Sequence, residues 1–382
     1  MTEFSLTKHP AMILAPGASK QLGDRVSETT GDNSRVLMVC DPALVTLGLT
    51  APIVDSLEDA GHTVTLFDEL QSDPKEASVN AATKLAHENS VDCVVGLGGG
   101  SALDTSKVVA ALAHTGAGCE PYRLAQTQLP FRKTALITLP TTAGTGSETT
   151  GTSIISQPDG VKNWFWGPPL KPDMALMDPE LTVGLPPFWT FYTGLDALVH
   201  SVESRTNRYR YAQNDALAEE GIVQAARHLV DAVNNPQSIE ARTGMMLAAA
   251  YGGLAIANTG CAVAHNIGHA LGSLAGIPHG RAVSVALAQT MDWTIDGNRE
   301  AFDRVGVLLG GKGAGDVEQA LHDVAAKCGE ALVLNEHEKA KLSEQSLADD
   351  MLADANIAML DATARDASRA DVEHLAAKML TS

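Results

Sequence analysis

Aromatic side chains are scarce in this chain, and cysteines are few and scattered. Aromatic residues make up 4% of the 382 residues, and the five cysteines form no Cys-x-x-Cys pair. A disulfide framework and a structural zinc knuckle are therefore not expected, and a reducing cytoplasm is the expected location. Cys40 and Cys93 lie in apolar runs, and we expect them to be small core residues.

Long apolar runs are also missing. The longest apolar stretch, Met245 to Ala257, is too short to cross a bilayer and contains two glycines. The N-terminal residues lack a charged region followed by an apolar one, which a targeting signal would need. We therefore expect neither a membrane span nor a membrane partner.

Basic residues are outnumbered by acidic ones. The chain has 27 Lys and Arg against 46 Asp and Glu, which gives a formal net charge of -19. Such a surface repels phosphate backbones and anionic lipids, so nucleic-acid binding is not expected. The hydrophobic fraction of 45% suffices for a large core, and the length suggests two domains.

The first half of the chain alternates short apolar runs with helical patterns. The runs at 35–41, 62–70, 92–101 and 134–140 are separated by segments with helical spacing. Uninterrupted apolar strands between helices predict a mostly parallel, doubly wound sheet that is covered on both faces. After the proline-rich Gly184–Trp189 the pattern is helical almost throughout. We predict an α/β domain at 1–185, an all-α domain at 186–382, and an active site in the cleft between them.

The segment Gly96–Lys107, "GLGGGSALDTSK", follows a strand and opens a helix. Glycines at this place let a backbone approach a pyrophosphate, and the helix N-terminus offers free N–H groups. A tight turn is the alternative, and Ser101 stands where a dinucleotide fingerprint would have its third glycine. A second hydroxyl-rich loop, Leu139–Thr150, also follows a strand, and we interpret the two loops as one nucleotide cradle.

Asp41 ends a predicted strand before the glycine loop. A carboxylate at that position could accept a hydrogen bond from a ribose 2′-OH and would repel a 2′-phosphate, which favours NAD over NADP. The alternative is an ordinary turn residue in front of Pro42.

A second group of chemistry-bearing residues lies in the helical half. Asp196 and His200 are four residues apart and therefore share a helix face. His265, His269 and His279 fall within fifteen residues among small and apolar neighbours. Each alone could be a core histidine, but any three His with the Asp would form a shell for a divalent cation. A nucleotide cradle together with a metal site predicts metal-assisted hydride transfer.

Five motifs in this order resemble the iron-dependent (group III) alcohol dehydrogenase family. They are "GGGSALDTSK", "PTTAGTGSE", "DPELT", "GLDALVHSVE" and a His-x3-His-x9-His-Gly pattern. The resemblance covers roughly residues 10–310. It implies a Rossmann-like N-terminal domain, a helical C-terminal domain, NAD(P) and Fe²⁺, and a homodimer or larger homo-oligomer.

The resemblance also implies roles for individual residues. The metal ligands would be Asp196, His200, His265 and His279, and His269 would act in proton relay. The residues that match cofactor-binding positions of the family are Asp41, Asp73, Gly98, Gly99, Gly100, Ser101, Ala102, Thr141, Thr142, Thr145 and Lys162. Asp73 stands where many members of the family have Asn.

Some residues depart from the family pattern. Gly151 replaces a larger residue that faces the substrate in many relatives, and the C-terminal Asn-Pro-Arg element is replaced by "TARDAS". Trp164 and Trp166 are interpreted as hairpin core, with a pocket wall or an oligomer contact as alternatives. Arg281 is interpreted as a helix-start salt bridge, with a substrate carboxylate as the alternative partner.

The predicted function is a metal-dependent hydride transfer between NAD(H) and a small primary alcohol or aldehyde. A hydroxyacid dehydrogenase of the 4-hydroxybutyrate type or a maleylacetate-type reductase is an alternative in the same superfamily. A dehydroquinate-synthase-like lyase that uses NAD transiently is a more remote one. Three His and one Asp would hold Zn²⁺ at least as tightly as Fe²⁺, so the metal also stays open.

Overall fold

The computed structural model describes residues 8–71 and 73–381. These residues form two compact units. The first is Lys8–Leu185, and the second begins at Pro186. The division lies inside the proline-rich segment Gly184–Trp189.

The first unit contains one six-stranded sheet and one hairpin. The sheet strands are β1 Ala11–Leu14, β2 Arg35–Cys40, β3 Thr63–Phe67, β4 Cys93–Gly98, β5 Ala135–Pro140 and β8 Met174–Met177. The hairpin strands are β6 Thr152–Ser156 and β7 Lys162–Trp166. The sheet order is β1-β8-β5-β4-β2-β3, and every neighbouring pair is parallel. The predicted parallel sheet is confirmed.

Helices cover both faces of this sheet, which explains why strands β2, β4 and β5 are buried along almost their whole length. Leu37 and Val39 of β2 belong to one buried cluster, and the alternate residues Val36 and Met38 belong to another. The five helices of the unit are α1 Leu22–Thr30, α2 Pro42–Thr46, α3 Ala51–Asp59, α4 Glu76–Glu88 and α5 Gly100–Leu112. Helices α4 and α5 contribute to the first cluster, and α1, α2 and α3 contribute to the second.

The carboxyl ends of three neighbouring strands meet at one edge of the sheet. Asp41, Gly99 and Thr141 directly follow β2, β4 and β5. In the parallel register, Gly98 pairs with Pro140 at the last position of both strands. The parallel order thereby gathers the loops in which the sequence predicted a nucleotide cradle.

The hairpin β6–β7 carries both tryptophans of the "NWFW" segment. Phe165 is fully buried, Trp164 is half-buried and Trp166 is 57% exposed. Because alternate residues of a strand face opposite sides, Phe165 takes the core position and the two tryptophans share the other face. The interpretation of Trp166 as hairpin core is therefore wrong.

The second unit is built from helices. They are α6 Pro187–Thr206, α7 Ala212–Asn234, α8 Ile239–Thr259, α9 Val263–Ala275, α10 His279–Ile295, α11 Arg299–Leu308, α12 Val317–Lys327, α13 Glu336–Lys339, α14 Glu344–Met351, α15 Ile357–Ala362 and α16 Arg369–Thr381. The predicted helical character after residue 186 is confirmed.

Glycines bring two neighbouring helices close to α6. A Cβ on Gly221 of α7 would lie 2.2 Å from Ser201 Oγ, and one on Gly252 of α8 would lie 3.2 Å from the Cβ of His200. Such contacts leave no room for a side chain at Gly221, and a Cβ at Gly252 would be tightly packed. The middle of α6, which holds His200, is therefore enclosed by close backbone approach.

Among the described residues, no single helix has both the length and the apolar composition of a membrane span. Helices α8 and α9 meet these criteria only when they are taken together, and the chain bends by 103° between them.

Candidate metal centre and cofactor loops

One buried face of α6 presents two of the predicted metal ligands. Asp196 and His200 lie one turn apart and are 2% and 4% exposed. Burial raises the pKa of Asp196 to about 7, and Glu203 adds to this rise although His265 opposes it. Among the described residues, Asp196 Oδ1 has no hydrogen-bond partner. A buried carboxylate oxygen in this state needs a cation or costs several kcal/mol.

Two more helices bring histidines to this oxygen. His265 lies in the first turn of α9, and His279 is the first residue of α10. The Nε2 atoms of His265 and His279 each lie 3.7 Å from Asp196 Oδ1, and that of His200 lies 3.9 Å away. The structure thus brings together all four residues that the family resemblance marked as ligands.

These four residues fit a divalent cation. Tetrahedral bonds of about 2.1 Å would place ligand atoms about 3.4 Å apart. The three distances from Asp196 Oδ1 are slightly longer, and the Nε2 atoms of His200 and His265 lie 3.0 Å apart. Imidazole nitrogens and one carboxylate suit iron or zinc. The sequence alone left five candidates for this shell, and the geometry favours these four.

His269 lies beside the cluster rather than in it. It follows His265 by one turn of α9 and is half-buried. Its ring centroid is 5.4 Å from that of His279 and 6.3 Å from that of His265. The groups of possible ligand atoms within 4.8 Å of one another in the described residues include His200, His265 and His279 but not His269.

The glycine loop is a close-packed turn at the sheet edge. Gly98 has φ of +149°, and a Cβ there would lie 2.7 Å from the Cβ of Ala102. Gly99 directly precedes α5, and Gly100 and Ser101 are the first two residues of that helix. The helix N-terminus therefore presents backbone N–H groups at the sheet edge, as anion binding requires.

The hydroxyl-rich loop Leu139–Thr150, called the threonine loop, packs against the glycine loop in the segment Gly96–Lys107. The backbone N–H of Thr141 donates to Gly98 O at 3.0 Å. A Cβ on Gly99 would lie 3.3 Å from Thr142 Cγ2, and one on Gly100 would lie 2.9 Å from Thr145 Cγ2. The two loops are therefore neighbours, as the nucleotide-cradle interpretation requires.

Asp41 also lies at this edge, with its side chain exposed. One carboxylate oxygen accepts from the N–H of Ala43 at 2.9 Å and so caps α2. A Cβ on Gly98 would be 3.6 Å from the Cβ of Asp41. Asp41 is thus a capping residue that also stands next to the glycine loop, and the two interpretations of this residue are compatible.

Asp73 and Lys162 form an ion pair, with Lys162 Nζ 2.7 Å from Asp73 Oδ1. The backbone N–H of Ser156 donates to Pro74 O at 2.8 Å beside it. The hairpin β6–β7 is therefore attached to the segment before α4 by both contacts. The structure brings these two predicted cofactor residues together.

Comparison with known proteins agrees with this geometry. The sequence matches the family model of iron-containing alcohol dehydrogenases over residues 10–179. It matches the family model of the C-terminal part of Fe-containing alcohol dehydrogenases over residues 190–380. The chain belongs to the iron-containing alcohol dehydrogenase family.

Relatives of this iron-containing alcohol dehydrogenase are named after different alcohols. A choline dehydrogenase of Bacillus subtilis (strain 168) is 32% identical over 314 residues, which cover 81% of this chain and 78% of that protein. An NAD-dependent methanol dehydrogenase of Bacillus methanolicus is 31% identical over 312 residues, which cover 81% and 80%. A solved 1,3-propanediol oxidoreductase aligns with a TM-score of 0.91 at 26% identity, over 99% of this chain and 100% of that chain. Family membership therefore makes the protein an oxidoreductase, and it leaves the individual alcohol open.

Two groups close to the predicted metal ligands were not identified by the sequence analysis. Glu203 on α6 contacts the first turn of α9, and its spacing from Asp196 and His200, seven and three residues, was the available signal. Cys261 Sγ lies within 4.8 Å of ring nitrogens of His200 and His265. No spacing motif in the sequence indicated that cysteine.

A third group that the sequence analysis did not identify is a buried network that ties α5 to the threonine loop. Lys107 is fully buried, and its Nζ donates to Thr150 Oγ1 at 3.0 Å and to Thr152 O at 2.8 Å. Asp104 accepts from Ser147 Oγ at 2.5 Å. Burial lowers the pKa of Lys107 to about 8, although Asp104 opposes this shift. Both residues lie in the "GGGSALDTSK" motif, of which the sequence predicted a cofactor role only for residues 98–102.

Arg281 is fully engaged in protein contacts. Its guanidinium donates to both carboxylate oxygens of Glu338 at 2.9 Å, to Tyr192 OH at 2.7 Å and to Val333 O at 2.8 Å. The predicted salt bridge near the start of α10 is confirmed. The alternative, a substrate carboxylate on Arg281, would require this pair to break.

Proposed function

We propose that this protein is an NAD-dependent, Fe²⁺-dependent dehydrogenase that interconverts a small primary alcohol and its aldehyde. The observation that carries the proposal is the group of three imidazole Nε2 atoms within 3.9 Å of the unpartnered Oδ1 of Asp196. The relatives support the substrate class, because choline, methanol and 1,3-propanediol are all small primary alcohols.

Four side chains would hold the metal: Asp196, His200, His265 and His279. A bound Fe²⁺ would supply Lewis-acid polarisation of the alcohol or carbonyl oxygen. Zn²⁺ suits the same donors, and its higher position in the usual affinity order makes it the competing ion. The side chain of His279 is 34% exposed, whereas those of the other three ligands are almost fully buried. The substrate would therefore approach from the side of His279.

The glycine and threonine loops would hold NAD, which supplies the hydride acceptor. Backbone N–H groups of Gly98 to Ala102 would bind the pyrophosphate, and the hydroxyls of Thr141, Thr142 and Thr145 would add donors beside it. Asp41 would accept from the adenosine ribose 2′-OH and disfavour NADP. Asp73 and Lys162 form an ion pair and would therefore contact the cofactor together, with their opposite charges compensated.

His269 would carry the proton that accompanies hydride transfer. Oxidation of an alcohol to an aldehyde releases one hydride and one proton, so a group must pass that proton to solvent. The ring of His269 is half-buried, and its centroid lies 5.4 Å from that of His279 and 6.3 Å from that of His265. An imidazole ring can both accept and donate a proton, which suits this exchange.

The alternatives have less support in the structure. A hydroxyacid substrate needs a cation for its carboxylate, and Arg281 already forms a bidentate pair with Glu338. A dehydroquinate-synthase-like lyase would regenerate its NAD in each cycle and release no NADH. That difference makes the cofactor assay decisive between lyase and dehydrogenase.

The assembly and location are also proposals. We propose a homodimer or larger homo-oligomer in the cytoplasm, and the five cysteines, all unpaired by disulfides, agree with a reducing compartment. The α/β unit would be the NAD-binding domain and the helical unit the metal-binding domain. The active site between these two units stays a prediction.

The proposed function is tested by anaerobic loading with Fe²⁺, followed by NADH absorbance with a panel of alcohols, diols and hydroxyacids. We expect turnover of at least one primary alcohol with NAD, and its loss in Asp196→Asn. His322→Ala in α12 removes a histidine outside the cluster and should keep activity. Absence of NADH formation with every substrate would contradict the proposal.

A further inference from the structure

Glu203 is a buried carboxylate to which the proposed reaction assigns no part. It is 3% exposed and lies on α6, one turn beyond His200. A buried carboxylate is costly unless hydrogen bonds or a cation compensate its charge. The hydrogen bonds of Glu203 therefore indicate its structural role.

Among the described residues, the hydrogen bonds of its carboxylate go to the start of α9. Oε1 accepts from the backbone N–H of Ala264 at 2.6 Å and of His265 at 3.4 Å. Oε2 accepts from the N–H of Ala262 at 2.9 Å. Ala262 precedes α9 and has no capping side chain of its own. Glu203 thus caps a second helix from outside and meets the positive end of its dipole.

The same carboxylate contacts a predicted metal ligand. Glu203 Oε2 lies 2.6 Å from Nδ1 of His265. A carboxylate can only accept, so the proton in this bond belongs to Nδ1 of the imidazole. The lone pair of the neutral ring is then on Nε2, the nitrogen that lies 3.7 Å from Asp196 Oδ1.

We infer that Glu203 is a positioning residue for the metal centre, an inference that rests on the proposed function. It holds the tautomer of His265 in which Nε2 can bind a cation. It also fixes the first turn of α9 against α6, which carries Asp196 and His200. Partners of this kind on a ligand histidine typically change metal affinity about 10–100-fold.

Two substitutions separate this role from simple helix capping. Glu203→Gln keeps the length, and its amide oxygen can still accept from the N–H groups of Ala264 and His265. The amide nitrogen then takes the place of Oε2, where it can only donate toward His265 Nδ1. His265 would then accept at Nδ1 and carry its proton on Nε2, where the cation should bind. Glu203→Asp is one methylene shorter, yet it keeps an acceptor that matches Nδ1–H.

The experiment is a Co²⁺ titration of the metal-free full-length chain, read by the visible absorption of the ion and by competition with a chelator. We expect Glu203→Gln to bind Co²⁺ about 10–100-fold more weakly than the wild type, and Glu203→Asp to bind more tightly than Glu203→Gln. A role in capping alone predicts the reverse order, because the Gln side chain keeps the length. Ser201→Ala is the matched control, since Ser201 is buried on α6 and, within the described part of the chain, its hydroxyl donates only to Ala197 O of the same helix.

The outcomes distinguish this inference from the proposed function. If the wild type binds neither Co²⁺ nor Fe²⁺, the metal centre itself is wrong and Glu203 has nothing to position. If the wild type binds and Glu203→Gln binds equally well, only the role of Glu203 is overturned. If Glu203→Gln does not fold, Glu203→Asp decides. Co²⁺ affinity close to that of the wild type would support the role of the retained acceptor at Nδ1, whereas a loss as large as the one expected for Glu203→Gln, about 10–100-fold, would contradict it.

Discussion

Asp196→Asn should move the stability of the metal-free and metal-loaded protein in opposite directions. In the metal-free wild type, Asp196 Oδ1 is buried without a hydrogen-bond partner among the described residues. Leaving a buried polar atom unpaired costs about 1–3 kcal/mol, and more for a charged one. The carboxamide removes the charge and keeps the shape, so we expect the metal-free variant to unfold with about 1–2 kcal/mol more free energy than the wild type at pH 8.

The metal-loaded proteins should show the reverse order. An ion at 100 times its dissociation constant stabilises the wild type by about 2.7 kcal/mol. For a folded unit of roughly 200 residues, this corresponds to a rise in Tm of about 5–11 °C. The amide oxygen of Asn is a poorer ligand than a carboxylate, so most of this rise should vanish in Asp196→Asn.

The assay is thermal unfolding at pH 8, without metal and with anaerobic Fe²⁺ or Co²⁺. His322→Ala serves as control and should keep the full metal-induced rise, because His322 lies outside the cluster. A metal-free Asp196→Asn that melts well below the wild type would refute the reasoning about the unpartnered oxygen. An equal metal-induced rise in both proteins would remove Asp196 from the metal site.

Four further substitutions test the cofactor unit. Asp41→Gly should raise NADP use relative to NAD about tenfold while costing only a few tenths of a kcal/mol as a cap, and an unchanged ratio of kcat/KM values would remove Asp41 from the ribose site. Lys107→Met should weaken NAD binding about tenfold in fluorescence titration, because the variant loses the hydrogen bond to the threonine loop and leaves Asp104 buried without its cation. Wild-type affinity for NAD would show that cofactor binding does not need this network. Gly98→Ala should lower the free energy of unfolding by about 1–3 kcal/mol in urea, since φ is +149° and the added Cβ meets a neighbour at 2.7 Å; an unchanged urea midpoint would contradict the tight turn. Burial raises the pKa of Glu148 from 4.5 to about 7, so its contribution to stability is full below pH 4.5 and is lost as the pH rises through 7. Glu148→Gln should therefore be about 1–3 kcal/mol more stable than the wild type at pH 8, whereas an equal difference at pH 4.5 and pH 8 would argue against the shift.

Local patterns in the sequence were sufficient for the main elements of the fold. The continuous apolar runs of β2, β4 and β5 are each six residues long, and all three were predicted as strands. Strands β1 and β8 are only four residues long and were not predicted. Their place in the sheet depends on pairing between distant segments, such as Ala11 with Met174, which no local periodicity encodes.

The sequence by itself determined the residue types and spacings that chemistry needs. Asp196 and His200 share a face because any helix places residues four apart on one side. Glycines after β4 mark a phosphate loop because only they permit that backbone approach. These inferences depend on short-range geometry, which the chain carries at every position.

Only the tertiary structure decided which distant groups meet. It placed His279 beside Asp196 as the third histidine, which the family resemblance implied but the spacing alone left open, and it joined Glu203 to His265 across 62 residues of chain. It also placed the ammonium group of Lys107 under the threonine loop. The physical reason is that a hydrogen bond or ion pair between separate helices forms only once packing has fixed their register, and packing is a property of the whole folded unit.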